Sequence, residues 1–146
     1  MNPADRTPPS QHATIRFEYD FAHRPEKVWR ALTEPSLLER WLLPVRNLLL
    51  EEGAAFTLHA DPQPGWDGTV HCKLLESEPP HRLRYSWVVG ALDTVVTFTL
   101  EPTDTGTRMV LEQTGFQAHQ KPAFGGARYG WGMFLGRLVE LLNDAA

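Results

Sequence analysis

Arg128-Tyr-Gly-Trp-Gly-Met-Phe-Leu-Gly-Arg-Leu-Val-Glu-Leu-Leu-Asn143, close to the C-terminus, decides how the rest of the chain must fold. Trp131, Phe134, Leu135, Leu138, Leu141 and Leu142 recur at i, i+3, i+4 and i+7, which puts them on one face of a helix. Gly130, Gly132 and Gly136 interrupt the same turns, each at a cost of about 1 kcal/mol relative to alanine. Two readings explain such a concession: close approach of the helix to a sheet, or empty space beside it that could hold an apolar ligand. At about 25 Å, this helix is the one segment long enough to cover a sheet.

The sheet is legible upstream. Ile15, Phe17, Tyr19 and Phe21 alternate with Arg16, Glu18 and Asp20, the pattern of a half-buried strand over Thr14 to Phe21. Pro25 then suits the first turn of a helix whose buried side is Val28, Trp29 and Leu32. Pro35 starts a second short helix with Leu37, Leu38, Trp41 and Leu42 on its apolar face, and Pro44 stops it. Strand-like runs follow at Val45–Leu50, Ala55–Ala60, Thr69–Glu76, Arg82–Val89, Thr94–Glu101 and Thr107–Thr114, separated by Gly, Pro and Asp turn signals. Short gaps imply antiparallel hairpins. Gly115 to Gly126 lacks periodicity and reads as a loop. The expected architecture is α+β: a curved antiparallel sheet of about seven strands wrapped around a long C-terminal helix, with two short helices after the first strand.

The chain has 146 residues, 42% hydrophobic and 22% charged, and carries a net charge of −4. That length predicts a single domain over residues 14–146 with a core needing no staples. Residues 1–13, with three prolines and no apolar run, read as a disordered tail unless packing on the domain orders it. The negative charge and scattered basic residues argue against a nucleic-acid partner. Nothing approaches the ~18 apolar residues of a membrane span. A lone Cys72 fits a reducing compartment, so a cytoplasmic location is expected.

Arg24-Pro-Glu-Lys-Val-Trp-Arg-Ala-Leu-Thr-Glu-Pro-Ser-Leu-Leu-Glu-Arg-Trp-Leu42 resembles the opening of the activator-of-Hsp90-ATPase-like family. Glu52-Gly-Ala-Ala-Phe56 is similar to the family's Gly-Gly-x-Phe strand entry, with Ala54 in place of the second glycine. Gly68-Thr-Val70 and Pro79-Pro-His-Arg-Leu-Arg-Tyr-Ser-Trp87 resemble its central hairpin. Gly106-Thr-Arg-Met-Val-Leu-Glu-Gln-Thr-Gly-Phe116 and Gly130-Trp131 resemble its closing strand and helix. The resemblance covers roughly residues 14 to 143. It implies the helix-grip fold of the START/Bet v1-like, or SRPBCC, superfamily, and a chaperone as one conceivable protein partner. The family's namesake joins such a domain to a separate N-terminal one.

Alternation assigns an inward set: Phe56 and Leu58; Val70, Cys72 and Leu74; Leu83, Tyr85 and Trp87. Val96, Phe98 and Leu100 continue it, with Met109, Leu111 and Gln113 on the last strand. For each of these, core packing competes with cavity lining. The candidate ligand-binding residues are Trp41, Phe56, Leu58, Val70, Cys72, Tyr85, Trp87, Phe98, Met109, Leu111, Gln113, Trp131 and Phe134. Gln113 is the most informative polar member, because its amide must find a partner or cost about 1–3 kcal/mol.

No metal or other cofactor is expected. His59 and Asp61 fall on the outward face, His71 lies opposite Cys72, and no chelating spacing occurs. Ser86 faces outward, there is no nucleophile elbow, and Cys72 has no evident base. The expected function is therefore binding of a small hydrophobic or amphipathic molecule between the sheet and the last helix, without catalysis. The alternatives are an aromatase/cyclase-like enzyme using Tyr85, Gln113 or His119, and a partner-binding module using Trp66 and Phe124 as exposed apolar residues. Trp66 has a second reading as a lid on the mouth of the barrel. A homodimer stays open.

Overall fold

The computed structural model describes residues 3–7 and 13–144. Its strands are β1 (Ala4–Asp5), β2 (Thr14–Phe21), β3 (Val45–Arg46), β4 (Ala55–His59), β5 (Thr69–Glu78), β6 (Arg82–Val89), β7 (Leu92–Pro102) and β8 (Thr107–Thr114). The helices are α1 (Pro25–Thr33), α2 (Pro35–Trp41) and α3 (Lys121–Asp144). The strands form one open, curved antiparallel sheet in the order β1-β2-β8-β7-β6-β5-β4-β3. The three helices lie on its concave face, in the Bet v1-like arrangement implied by the sequence.

Burial follows the alternation. Val96, Phe98 and Leu100 on β7, and Met109, Leu111 and Gln113 on β8, are all at most 1% exposed. They meet Trp131, Leu135 and Leu138 of α3, which are equally enclosed. Pro25 and Pro35 occupy the first turns of α1 and α2, and Glu34 separates the two helices with extended backbone. A register shift between Leu74 and Glu76 leaves Leu75 exposed and bends β5.

Three elements and one residue differ from the sequence reading. The expected strand over 45–50 pairs only at Val45–Arg46, because Asn47 takes a φ of 63° and turns the chain out of the ladder. The expected loop over 115–126 already turns helical at Lys121, so α3 is about 36 Å long rather than 25 Å. Phe124 drives that extension: it is buried and packs edge-on to Phe116 at 5.2 Å, outweighing Gly125 and Gly126. The eighth strand comes from the expected tail. Ala4 and Asp5 pair with Glu18 and Phe17, the Arg16 amide donates to Thr7 Oγ1, and Asp5 meets Arg128 of α3. Packing on the domain thus orders residues 4–7, while residues 1, 2 and 8–12 of that tail lie outside the described residues. Finally, Phe124 is not an exposed partner-facing residue, for the reason just given.

Candidate functional site

The concave face divides into two halves. Over β2, β8 and β7 the helix α3 lies directly on the sheet, and a buried polar relay locks it there. The Trp131 indole N–H donates to Gln113 Oε1 at 2.7 Å, Gln113 Nε2 donates to Thr94 Oγ1 at 2.9 Å, and Thr94 Oγ1 donates to the Trp87 carbonyl at 2.8 Å. Gln113, Thr94 and Trp131 are at most 2% exposed. The Trp131 ring lies 5.6 Å from that of Trp87 and 6.0 Å from those of Phe98 and Phe134. Gln113 thus finds the partners that its position demanded, within the protein. Trp41 is fixed likewise: its indole N–H donates to the Ala31 carbonyl at 2.7 Å and its ring meets Phe98 edge-on.

Over β4, β5 and β6 the cover is different. Here α1, α2 and the segment after β3 form the roof, and a narrow apolar seam remains beneath them. Leu32, Leu38, Leu48, Leu50, Phe56, Leu58, Leu74, Leu83 and Tyr85 line it. Its open volume is about 10 Å³, close to the room that one water needs. Leu50, in the roof, is 40% exposed, and the adjoining Leu49, which does not line the seam, is 53% exposed.

The one polar side chain on that wall is Tyr85, which is 4% exposed and stacks edge-on against Phe56 at 5.3 Å. Burial, with a smaller contribution from neighbouring Cys72, raises the Tyr85 phenol well above its ordinary value. Burial also pushes the Cys72 thiol up to about 12, so it is an inert thiol at neutral pH and not a nucleophile.

The three helix glycines do not border this seam. Gly132 and Gly136 face an open groove of about 710 Å³ on the outer side of α3, opposite Pro3, Asp5 and Phe17. A Cβ at Gly136 would meet nothing within 4 Å. Gly132 and Gly136 continue the stripe of Gly125, Tyr129 and Glu140, about 100° around the helix from Trp131 and Leu135. Neither close packing on the sheet nor an interior void explains Gly136.

A family model described as activator of Hsp90 ATPase homolog 1-like protein matches residues 22–143. The chain belongs to this family. Among solved structures similar to this member of the activator of Hsp90 ATPase homolog 1-like family is protein MLL2253 of Mesorhizobium loti. It is 40% identical, with 91% of this chain and 98% of that one covered and a TM-score of 0.84. CalU16 of Micromonospora echinospora is 28% identical over 96% of this chain and 84% of its own, with a TM-score of 0.75. DynU16, from the dynemicin biosynthetic locus, is 20% identical over 90% of this chain and 47% of its own. Its TM-score of 0.74 speaks for the shared fold alone. No curated protein matches this chain.

Of the residues expected to line a ligand site, the seam brings together Phe56, Leu58 and Tyr85. Val70, Met109 and Leu111 are buried core that does not line the seam, and Phe98, Gln113 and Trp131 belong to the sealed half. Trp87 and Phe134 are only partly buried and pack on Trp131. Leu32, Leu38, Leu48 and Leu50 were missed because two of them read as ordinary helix core and two as strand. The signal that could have found the roof is Leu48-Leu49-Leu50 running straight into Glu51-Glu52-Gly53, an apolar run with no strand partner. Trp66 stays local: it is half-buried, and its indole N–H donates to the Thr69 carbonyl at 2.9 Å. Among the described residues no helix is long and apolar enough to cross a membrane.

Proposed function

We propose that this protein binds a small hydrophobic or amphipathic molecule in the seam between β4–β6 and the α1–α2 pair. The expected location, between the sheet and α3, gives way to this one because the Trp131–Gln113–Thr94 relay fills the former. The observation that carries the reading is a leucine-walled cavity with a roof residue, Leu50, that water reaches. Exposed leucines over an apolar interior are costly unless the surface has a use. Because the closed seam admits about one water, entry requires the segment from Asn47 to Gly53 to lift. Both ends of that segment have positive φ, 63° and 88°. It is held to the sheet at its Gly53 end, where the Gly53 N–H donates to the Leu74 carbonyl at 2.7 Å, so it would hinge there. A lid of this kind opens at low cost.

Cyclase-like chemistry has less in its favour. The Gln113 amide is engaged at both ends, and His119 is exposed on the loop before α3, outside the seam.

Titration with the neutral fluorophore N-phenyl-1-naphthylamine tests the proposal. Wild-type protein should bind it saturably. Leu58→Trp, which fills the seam, should weaken binding at least about tenfold, while Gly136→Leu on the outer groove should leave it unchanged. Leu50→Glu, at the half-exposed roof, is the companion variant should Leu58→Trp fail to fold. Absence of binding, or equal loss in the seam and groove variants, refutes the site.

A further inference from the structure

We infer that the molecule taken up by the seam is uncharged and presents one hydrogen-bond acceptor, a carbonyl or ether oxygen, to the Tyr85 hydroxyl. This rests on the binding reading above and narrows it to a chemical class. Eight of the nine residues on the wall are leucine or phenylalanine, so no lysine, arginine or histidine is there to receive an anion and no carboxylate to receive a cation. A charge placed in such surroundings would be unpaired and dehydrated, and the loss of hydration would exceed any gain from contact.

Tyr85 adds the positive half of the argument. Its side chain is 4% exposed and among the described residues its hydroxyl bonds to no protein group, whereas Thr33, Gln113 and Trp131 all find protein partners. The hydroxyl oxygen itself is still reached by water, Arg84 Nε being the one fully buried side-chain nitrogen or oxygen without a partner among those residues. A ligand that fills the seam shuts that water out, so it must offer the hydroxyl an acceptor or leave it desolvated and unpaired. Burial keeps the phenol protonated. The neighbouring Cys72 thiol is protonated too. The wall therefore offers a donor, and a pure hydrocarbon would leave that donor unmet.

Three near-isosteric probes separate the possibilities: naphthalene, 2-acetonaphthone and 2-naphthoate, each titrated by NMR against the protein with labelled leucine methyl groups. The expected order is 2-acetonaphthone tightest, with 2-naphthoate at least about tenfold weaker. Tyr85→Phe should weaken 2-acetonaphthone by about three- to tenfold, the worth of one hydrogen bond, and leave naphthalene unchanged or tighter. Equal or tighter binding of 2-naphthoate overturns the inference while the binding proposal survives. So does a Tyr85→Phe loss that is the same for all three probes. If none of the probes perturbs the leucine methyls, the proposed function falls and the inference with it.

Discussion

The two halves of the concave face use the same kinds of residue to opposite effect. Where α3 covers β2, β8 and β7, large rings interlock, and the enclosed Trp131, Gln113 and Thr94 are joined by hydrogen bonds in series. Where α1, α2 and the 47–53 segment cover β4, β5 and β6, leucines meet across a gap, and among the described residues the Tyr85 hydroxyl bonds to no protein group. A straight rod of about 36 Å cannot follow a bent sheet along its whole width. The chain spends its strongest packing at one side and spans the other with short helices and a loop. Dense and looser packing are thereby separated within a single sheet.

The largest expected effect comes from breaking the sealed half. Trp131→Ala removes a fully enclosed ring and leaves Gln113 short of a donor, so urea denaturation should show a loss of about 3–5 kcal/mol. A loss below about 1 kcal/mol would mean that α3 is not gripped there. The next effect probes the half under α1 and α2 through pH. Cys72 keeps its proton in the folded state up to about 12, while the unfolded thiol releases it near 9.0. Between those values the unfolded chain binds fewer protons, so stability falls as pH rises, by at most about 1.4 kcal/mol per unit. Tyr85 adds a fall of the same sign at higher pH. Denaturation midpoints of wild type should therefore drop between pH 8 and 10.5 more steeply than those of Cys72→Ala; parallel slopes would place Cys72 in water. The smallest effect lies on neither half. Gly136→Ala adds a Cβ that touches nothing, on the outer side of α3, and should raise stability by roughly 0.5–1 kcal/mol with probe binding unchanged. A destabilised Gly136→Ala would mean that the groove is occupied or that the helix sits closer to β1 and β2.

Much of this was legible. The alternation of β2 and of β5 to β8 fixed which side chains turn inward, because a two-residue period leaves no choice of face once one face is apolar. The prolines at 25 and 35 marked the helix starts, since their ring suits a first turn and nothing later in a helix. Elements whose formation depends on distant contacts were not legible. Phe124 needed Phe116 before the Gly125-Gly126 turn could be helical, and Ala4–Asp5 needed the free edge of β2. At the site, Phe56, Leu58 and Tyr85 could be read as inward-facing. Alternation could not tell which inward residues meet a void and which meet Trp131.

The glycines of α3 show the same limit most clearly. Their spacing is visible in the chain, but their distance from the apolar stripe matters only once the helix is rotated onto a sheet. Local order of apolar and polar residues, together with proline placement, determined the strands, the helices and their inward faces, because those follow from backbone geometry within a few residues. Where the interior is full and where it is hollow was decided by the meeting of a curved surface with a straight one, a long-range fit that no short stretch of chain encodes.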